Sequence, residues 1–462
     1  MAAFVVRASD RDLAASSRLA LKARILDSLG CAFGALDAQP IARVRRYIES
    51  FGGSPLCTLV GGGRNAPDRA AFYNGALVRY LDFNDSYLAP NETCHPSDNL
   101  AAVLAACEFA GATGRGLLAA LAVAYQVQCR LSDKAPVRDR GFDHVTQGAA
   151  AVAAGVAKAL DLDEERTANA IAMAVTGLNA LRVTRTGSIS HWKGLAYAHM
   201  SHAATQAAFL AAQGITGPPE AFEGNKGWMQ TISGPFEIDW RYEDLERVTR
   251  TAIKRYDAEI HAQSAIESLL ELRAEHGFQA GEIQRIEVDI FDVAYRIIGG
   301  GEEGDKTIVQ TREQADHSLP YMLAAAACDG EMGPAQYETD RIVKSDVQSL
   351  LRNVVVHPDE ALSARFPEEC PCRLRVFLHD GRVLARERSD YLGYPSRPMS
   401  FSDVETKFVR LTQGVLDSEH QQRLIRAVAE IEELAAADLA EMLSPRPRSV
   451  IAAEPLTEDI QP

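Results

Sequence analysis

Apolar positions recur every three or four residues over most of the first 277 residues, which is the period of an α-helix. The segment SRLALKARILDSLGCAFGAL, for example, places on one face Leu21, Ile25, Leu29 and Phe33. Later segments such as NLAAVLAACEFAG and QGAAAVAAGVAKAL are so rich in alanine that we expect their helices to pack closely. Many of these segments end at glycine, the usual stop signal of a helix. The pattern predicts a large helical bundle.

The pattern changes after Gly277. The segment IQRIEVDIF alternates apolar and acidic residues, which predicts a β-strand. The segment CRLRVFLHDGRVLARE alternates on both sides of Asp380-Gly381, a strong hairpin signal. Between these strands, REQADHSLPYMLAAAACDGE has the pattern of a helix. We therefore predict an α/β region over residues 278–395.

Helical patterns return near the end of the chain, in SFSDVETKFVRL and QQRLIRAVAEIEELAAADLAEML. Ser402 and Glu405 are expected to form a capping box at the start of the first of these helices. The predicted fold is mainly α with an α+β insertion: an all-helical domain from residues 1–277 and 396–445, and an α/β lid domain from residues 278–395. Residues 446–462 are expected to be a disordered tail.

Hydropathy and charge exclude several classes of partner. No apolar run approaches the roughly 20 residues of a membrane-spanning helix, and the first residues, MAAFVVRASDRDLAASS, lack the features of a secretory signal. A cytoplasmic location is the default expectation. The net charge of −15 argues against nucleic acid as the main partner. It leaves room for an anionic small molecule, because a few local cations decide such binding at physiological salt.

Common metal and nucleotide motifs are missing from the sequence. The eight cysteines are scattered, and only Cys370 and Cys372 are close together, which is typical of free thiols in a reducing compartment. His199 and His202 have a spacing that can ligate one ion, but their apolar neighbours on the same stripe favour packing. No phosphate loop, GxGxxG or GxSxG motif is present, which argues against nucleotide cofactors and a serine hydrolase.

Proton chemistry is concentrated in residues 82–99, DFNDSYLAPNETCHPSDN, between two apolar segments. Such a stretch is compatible with a metal site, an acid–base site or a polar connector. Four basic residues also lie at or near predicted helix starts, where the helix dipole favours anions: His95, His144, Lys193 and His261. The predicted caps are Ser97, Thr146 and the capping box Ser264–Glu267. Either these helix starts converge on a ligand with several carboxylates, or the residues are incidental neighbours of caps.

Several motifs resemble the MmgE/PrpD family: RYLDFNDSY with CHPSDN, SHWKGLA, IKRYDAEIHAQSAIE and REQADHSLPYMLAAAACDG. The resemblance runs from ILDSLGCAFGA to ETKF. Members of this family include 2-methylcitrate dehydratase, cis-aconitate decarboxylase and an iminodisuccinate epimerase. The resemblance implies an all-helical domain with a smaller α/β lid, usually a homodimer, and no metal or organic cofactor.

The resemblance also implies site residues. Those carried over as catalytic are Asp82, His95, His144, Lys193 and Tyr321. Those it implies for substrate binding are Ser86, Lys254 and His261. Arg140 is a further candidate, expected from the mechanism and not from the resemblance, to help bind a substrate carboxylate. Ser86 stands where several relatives have threonine. The loop LAPNETCHPSDN departs from the decarboxylase pattern, which leaves the substrate open.

The expected function is that of a cofactor-independent hydro-lyase, with 2-methylcitrate converted to 2-methylaconitate in propionate catabolism as the best single interpretation. His95 and His144 would be base and acid in an order left open, and Asp82 would orient one imidazole. Lys193, with Lys254 or Arg140, would bind carboxylates, and Tyr321 would donate a proton or close the site.

Alternatives remain. Asp82 as a helix cap, Ser86 as a loop-shaping residue and Tyr321 as a packed core residue are the simpler roles. The alternative functions are decarboxylation of cis-aconitate, epimerisation next to a carboxylate, and, in a different class, a non-catalytic relative that binds a partner.

Overall fold

A computed structural model describes residues 1–186, 189–301 and 304–445, so the tail predicted for 446–462 lies outside the described residues. The first nine α-helices are α1 Ala2–Arg7, α2 Ala15–Gly34, α3 Gln39–Ser50, α4 Pro67–Tyr80, α5 Leu100–Ala110, α6 Gly114–Lys134, α7 Val145–Ala159, α8 Glu164–Gly177 and α9 Trp192–Ala212. Those that follow are α10 Gln263–His276, α11 Asp292–Ala294, α12 Arg312–Ala315, α13 Leu319–Asp329, α14 Thr339–Ile342, α15 Ser345–Leu350 and α16 Glu360–Ser363. The last are α17 Phe401–Thr412, α18 Ser418–Ala429 and α19 Ala436–Glu441.

The strands are short and few. They are β1 Cys57–Thr58, β2 Arg64–Asn65, β3 Tyr87–Ala89, β4 Glu92–Cys94, β5 Ile283–Ile290, β6 Val354–Pro358, β7 Cys372–Leu378 and β8 Val383–Arg388. β1 pairs with β2 and β3 with β4, both antiparallel. The remaining four form a sheet in the order β6-β5-β7-β8, in which β5 and β6 run parallel and the other pairs antiparallel. The predicted mainly α class is confirmed.

The chain forms two compact units. The helical unit comprises Met1–Thr184, Trp192–Thr251 and the described residues 400–445. The α/β unit comprises Arg185–His191 and Ala252–Met399. Helix α10 therefore lies in the α/β unit, whereas the sequence-based boundary at 277 placed it with the helices.

The helical unit is built on close helix packing. α4 packs on α9, α6 on α7 and α2 on α17. Gly155 of α7 shows how close these approaches are, because a Cβ added there would lie 2.8 Å from Val103 of α5 and 2.9 Å from Ala124 of α6. The alanine-rich helices thus pack closely, as their composition predicted. No described helix is long and apolar enough to span a membrane.

In the α/β unit, one face of the sheet is buried. Ile286, Val288 and Ile290 of β5 are all buried, in line with their alternation in sequence. β7 and β8 join through the predicted turn, where Gly381 has a φ of +90° that suits glycine. Ser318 caps α13 by accepting a hydrogen bond from the backbone N–H of Tyr321. The predicted strands, hairpin and helix of this region are confirmed.

Helix starts were predicted less well than helices. The capping box of α17 is formed by Ser400 and Asp403, so the prediction of Ser402 and Glu405 was wrong. The predicted box at Ser264 was also wrong, because α10 begins at Gln263 and Ser264 lies within it.

Two further expectations about local structure also failed. Ser97 lies inside a 3₁₀ turn, Pro96–Asn99, that precedes α5, and does not cap that helix. Residues 213–262 contain 3₁₀ and π turns where the sequence suggested continued helices.

Candidate active site

Asp82 lies just after the end of α4 in a left-handed conformation, with a φ of +55°. Such a backbone costs a non-glycine residue about 1–3 kcal/mol, so its surroundings must hold it in place. Arg79 Nη1 donates to Asp82 Oδ1 at 2.5 Å, and Lys193 Nζ lies 3.1 Å from Asp82 Oδ2. Arg79 Nε is also 3.6 Å from Asp98 Oδ2. The first turn of α9 thus brings its lysine to the end of α4.

His95 is 7% exposed and lies at the end of the hairpin β3–β4. Its Nδ1 atom is 2.9 Å from the carbonyl oxygen of Asp85 and 3.1 Å from Ser86 Oγ. Because a carbonyl oxygen only accepts hydrogen bonds, Nδ1 carries the hydrogen. Nε2 is then the proton acceptor of the neutral ring. The carbonyl of Asp85 therefore fixes the tautomer of this histidine.

His144 lies beside His95, with ring centroids 5.2 Å apart and ring planes at 72°. It directly precedes α7 and is buried. Its Nδ1 is 3.2 Å from Asp143 Oδ1, and Arg182 Nη1 is 3.8 Å from Asp143 Oδ2. A carboxylate next to an imidazole favours the protonated, charged ring. The two histidines therefore differ in what faces Nδ1: a neutral carbonyl at His95 and a charged carboxylate at His144.

A buried network joins the surroundings of Asp82 and His95. Asn84 Nδ2 donates to Ser97 Oγ and to Asp98 Oδ1, each at 2.8 Å. The backbone N–H of Ser97 donates to Asp85 Oδ1 at 3.0 Å. Since Asp98 also pairs with Arg79, the loop after α4 and the turn before α5 hold each other. The polar stretch is thus a framework with both site residues attached to it.

The ring of Tyr197, on α9, stacks on the ring of His144, with ring centroids 6.2 Å apart and planes at 25°. Its hydroxyl lies 3.0 Å from Asn99 Oδ1 and 3.1 Å from Gln128 Oε1. Burial raises the pKa of Tyr197 well above its usual value, so the phenol stays neutral and donates. Gly148 of α7 makes room for this ring, because an added Cβ would lie 2.6 Å from it.

Glu92, in strand β4, holds the segment that leads to His144. Its Oε2 accepts from the backbone N–H groups of Val137 at 3.1 Å and Arg138 at 3.2 Å. Burial raises the pKa of Glu92, and the Val137 hydrogen bond opposes that rise. Sequence reasoning did not assign Glu92, although its place in the acidic stretch 82–99 was a signal.

The helical unit brings together five of the predicted site residues, namely Asp82, Ser86, His95, His144 and Lys193. Arg140 differs from them. It is exposed, and its guanidinium packs against Gly234, where an added Cβ would lie 2.5 Å from Nη2. Its role in binding substrate stays a prediction, whereas Arg79 lies next to the carboxylate of Asp82 and Arg182 next to that of Asp143.

The other predicted site residues belong to the α/β unit. Lys254 is 1% exposed, and His261 Nδ1 lies 2.8 Å from Glu259 Oε1. The Tyr321 hydroxyl donates to the carbonyl of Gln336, and burial raises the pKa of this phenol. These contacts match the simpler role of Tyr321 as a packed core residue. The active-site assignments of these three residues remain sequence-based predictions.

Sequence reasoning missed three aspartates that contact histidines, Asp85 through its backbone carbonyl and Asp143 and Asp316 through their carboxylates. Asp85 and Asp143 are each adjacent in sequence to a predicted site residue, which was the available signal. In the α/β unit, Asp316 Oδ1 lies 2.6 Å from His317 Nδ1, inside a motif used only for the family resemblance. His202 has a different environment, with Nδ1 3.1 Å from the carbonyl of Asp68, which agrees with the packing role favoured for it.

Two family models together match most of the chain. The MmgE/PrpD N-terminal domain model matches residues 1–241, and the MmgE/PrpD C-terminal domain model matches residues 256–433. The chain belongs to the MmgE/PrpD family. The resemblance inferred from the motifs is thereby confirmed.

Named relatives of this MmgE/PrpD protein are similar over most of their length. A 2-methylcitrate dehydratase of Cupriavidus necator is 28% identical over 81% of this chain and 81% of its own. A cis-aconitate decarboxylase of Mus musculus is 25% identical over 89% of this chain and 86% of its own. An alkylcitrate dehydratase of a fungal species is 27% identical over 88% and 86%, respectively. Because these relatives are named as dehydratases and a decarboxylase, the prediction of a lyase-type enzyme is confirmed.

Proposed function

We propose that this MmgE/PrpD protein is a cofactor-independent hydro-lyase that dehydrates a citrate-like tricarboxylate, with 2-methylcitrate as the best single candidate. The observation that carries the proposal is the pair of buried imidazoles, 5.2 Å apart, with different partners on Nδ1. Such a pair supplies one base and one acid for an elimination. The dehydratases among the relatives support the same reaction class.

His95 is the base in this proposal. Its Nδ1–H is held by the carbonyl of Asp85, so Nε2 takes the proton from the carbon next to a substrate carboxylate. The electron pair of the broken C–H bond moves into that carboxylate and gives an enediolate. The electrons return to form the C=C bond as the hydroxyl on the next carbon leaves.

His144 is the acid that protonates the leaving hydroxyl. The carboxylate of Asp143 favours the imidazolium form, and the ring delivers its Nε2 proton so that water departs. The proton taken up by His95 and the proton given by His144 balance over the reaction. Both histidines must exchange protons with solvent or with each other before the next turnover.

Lys193 binds a substrate carboxylate and stabilises the enediolate. Its ammonium is positioned by Asp82 at 3.1 Å, with Arg79 on the other carboxylate oxygen. Positioned proton transfer supplies about 10²–10⁴-fold in rate. The larger contribution must come from this fixed positive charge, which meets the negative charge as it develops. In this proposal Lys254 and His261 help to bind the substrate, and Tyr321 donates a proton or closes the site.

Decarboxylation of cis-aconitate is the second candidate, because the mouse relative with that name covers a large share of the chain. Loss of carbon dioxide from the same tricarboxylate skeleton also needs a fixed cation and a proton donor. Lys193 and His144 would serve those roles.

The test uses the purified full chain with 2-methylcitrate, citrate and cis-aconitate in separate reactions. We expect a conjugated-alkene ultraviolet absorbance to appear with 2-methylcitrate. Carbon dioxide released from cis-aconitate would favour the decarboxylase instead. Inertness towards a broad panel of di- and tricarboxylic acids would contradict both and favour a non-catalytic relative.

The proposal includes a homodimer acting in the cytoplasm in propionate catabolism. Light scattering of the purified chain tests the first point, since a dimer has about twice the mass of the 50.2 kDa chain. Growth on propionate after deletion tests the last.

A further inference from the structure

Two sequence motifs from opposite ends of the chain meet next to Phe83, the residue after Asp82. The proposed reaction uses neither motif. Asp27 belongs to ILDSLGCAFGA on α2, and Lys407 belongs to ETKF on α17. Lys407 Nζ lies 2.7 Å from Asp27 Oδ1. The two side chains are buried, at 1% exposed for Asp27 and 7% for Lys407. Both helices belong to the helical unit.

The second contact of this ammonium is with the backbone next to Asp82, at Phe83. Lys407 Nζ donates to the carbonyl of Phe83 at 2.8 Å and lies 3.6 Å from the centroid of the Phe83 ring. Lys407 therefore contacts both the backbone carbonyl and the aromatic ring of Phe83, the residue that follows Asp82.

The position of Lys407 is itself fixed by helix packing. α17 packs directly on α2, and a Cβ added to Gly30 of α2 would lie 3.3 Å from the ring of Phe408. The ammonium is held on one side by the Asp27 carboxylate and on the other by Phe83. It has little freedom to move away from either.

Stability alone does not account for this pair. Burial raises the pKa of Asp27, and the charge of Lys407 opposes the rise. Burying two charges is costly, and apolar residues of similar volume commonly replace such pairs without loss of stability. What an apolar pair cannot supply is a hydrogen-bond donor for the Phe83 carbonyl.

The residue that needs such a donor nearby is Asp82. Its left-handed backbone, with φ at +55°, is unfavourable for a residue with a side chain and persists only when its neighbours fix it. The backbone N–H of Asp82 donates to the carbonyl of Arg79 at 3.0 Å, which holds the turn on its first side. Lys407 holds the turn on its second side, at Phe83.

We propose that Lys407 and Asp27 are positioning residues that clamp the Asp82–Phe83 backbone, so that the Asp82 carboxylate stays between Arg79 and Lys193. They act through Asp82 and do not touch substrate. This inference rests on the proposed function for its kinetic readout, and has a structural readout independent of it.

The central test is the double variant Asp27→Leu/Lys407→Met in the full chain. It removes both charges together, so neither member of the pair is left as a buried charge without the other. We expect the melting temperature to stay close to that of the wild type, while kcat falls about 10–100-fold with KM little changed, because a misplaced reacting geometry costs that much. A double variant with wild-type kcat would overturn the proposal.

A coupling test asks whether the clamp works through Asp82. In an Asp82→Asn background, adding the double substitution is expected to lower kcat no further. Losses that multiply would contradict an action through Asp82. The matched control is Lys22→Met, which removes a lysine of α2 that pairs with Glu432 at 2.6 Å and donates to the carbonyl of Ala429. This control is expected to keep its kcat.

The structural readout is a crystal structure of the double variant. We expect Asp82 to leave the left-handed region and its carboxylate to move beyond 4 Å from Lys193 Nζ, where the wild type has 3.1 Å. A variant that keeps the wild-type φ and contact would overturn the clamp. If the wild type converts none of the acids tested, the proposed function fails and this readout alone decides the inference. If the double variant does not fold, Lys407→Met alone is crystallised, and the same two observations decide.

Discussion

His95 and His144 differ in the group that faces Nδ1, and this difference assigns them separate roles that can be tested one at a time. A substitution of His95 by Asn keeps a donor for the carbonyl of Asp85, because the amide nitrogen takes the place of Nδ1, but it removes Nε2. We expect kcat to fall about 10²–10⁴-fold with KM nearly unchanged, as measured by steady-state kinetics. His202→Asn is the matched control, since that ring also contacts a backbone carbonyl. Near-normal turnover by His95→Asn would remove His95 from the chemistry.

The assignment of His144 as the acid is tested by pH. Asp143→Asn keeps an acceptor for Nδ1–H but removes the negative charge that favours the imidazolium. The acid form is then favoured less, so the alkaline limb of kcat/KM should move to lower pH. Asp139→Asn, on the exposed part of the same loop, should leave the profile in place. An alkaline limb that does not move would assign the acid elsewhere.

At the scale of single residues, motif recognition named side chains that lie together in the structure and missed groups that contact and orient them. Asp82, Ser86, His95, His144 and Lys193 were all named from sequence, and the structure brings them together. The orienting groups were missed for a physical reason. A backbone carbonyl, as at Asp85, has no sequence signature, and a carboxylate such as Glu92 acts through chain segments distant in sequence.

At the scale of elements, the contact between α7 and α9 connects packing to chemistry. Gly148→Ala would place a Cβ 2.6 Å from the ring of Tyr197, which supports His144. We expect the free energy of unfolding to fall by about 1–3 kcal/mol, as for other overpacked sites, and kcat to fall with it. Thermal unfolding and kinetics measure the two effects.

The control for this substitution is Gly177→Ala at the end of α8, where an added Cβ meets nothing within 4 Å. It is expected to leave both stability and kcat near the wild-type values. If Gly148→Ala were as stable and active as this control, the contact between α7 and α9 would accommodate the extra methyl group, and the predicted link between this packing and His144 would be wrong.

Periodicity predicted elements well and their ends poorly. The alternation of β5 and the turn at Asp380-Gly381 depend on neighbours in sequence, so they could be read directly. The caps at Ser402 and Ser264 failed because several serines and acidic residues with suitable spacing compete near each helix start, and tertiary packing selects one. The β3–β4 hairpin was missed because its strands have only three residues each.

At the scale of the whole molecule, we expect the free energy of unfolding to fall at acidic pH because of a buried carboxylate in the α/β unit, Glu259. Burial alone would raise the pKa of Glu259, but attraction and hydrogen bonding to His261, with help from His317 and Lys254, outweigh burial and lower the pKa to about 2. A lowered folded-state pKa stabilises the fold above the unfolded value of about 4.5. This contribution is lost as pH falls from there towards about 2.

Glu259→Gln tests this dependence, since glutamine keeps an acceptor for the backbone N–H of His261. At pH 7 we expect its free energy of unfolding to be lower than that of the wild type by about 3 kcal/mol, at 1.4 kcal/mol per pKa unit. The two unfolding curves should converge below pH 3. Glu360→Gln, at an exposed position, should change stability by less than about 0.5 kcal/mol at any pH. A constant difference between wild type and Glu259→Gln down to pH 2 would contradict the proposed charge effect.

The meeting of α2, Phe83 and α17 has a consequence for biosynthesis. Phe83 and Lys407 are 324 residues apart, so at cellular translation rates Lys407 follows Phe83 out of the ribosome after roughly 15–65 s. During that interval the nascent helical unit carries Asp27 without its cationic partner. We expect ribosome-bound chains that stop before Ser400 to be held by chaperones, and enzymatic competence to be acquired only as synthesis finishes.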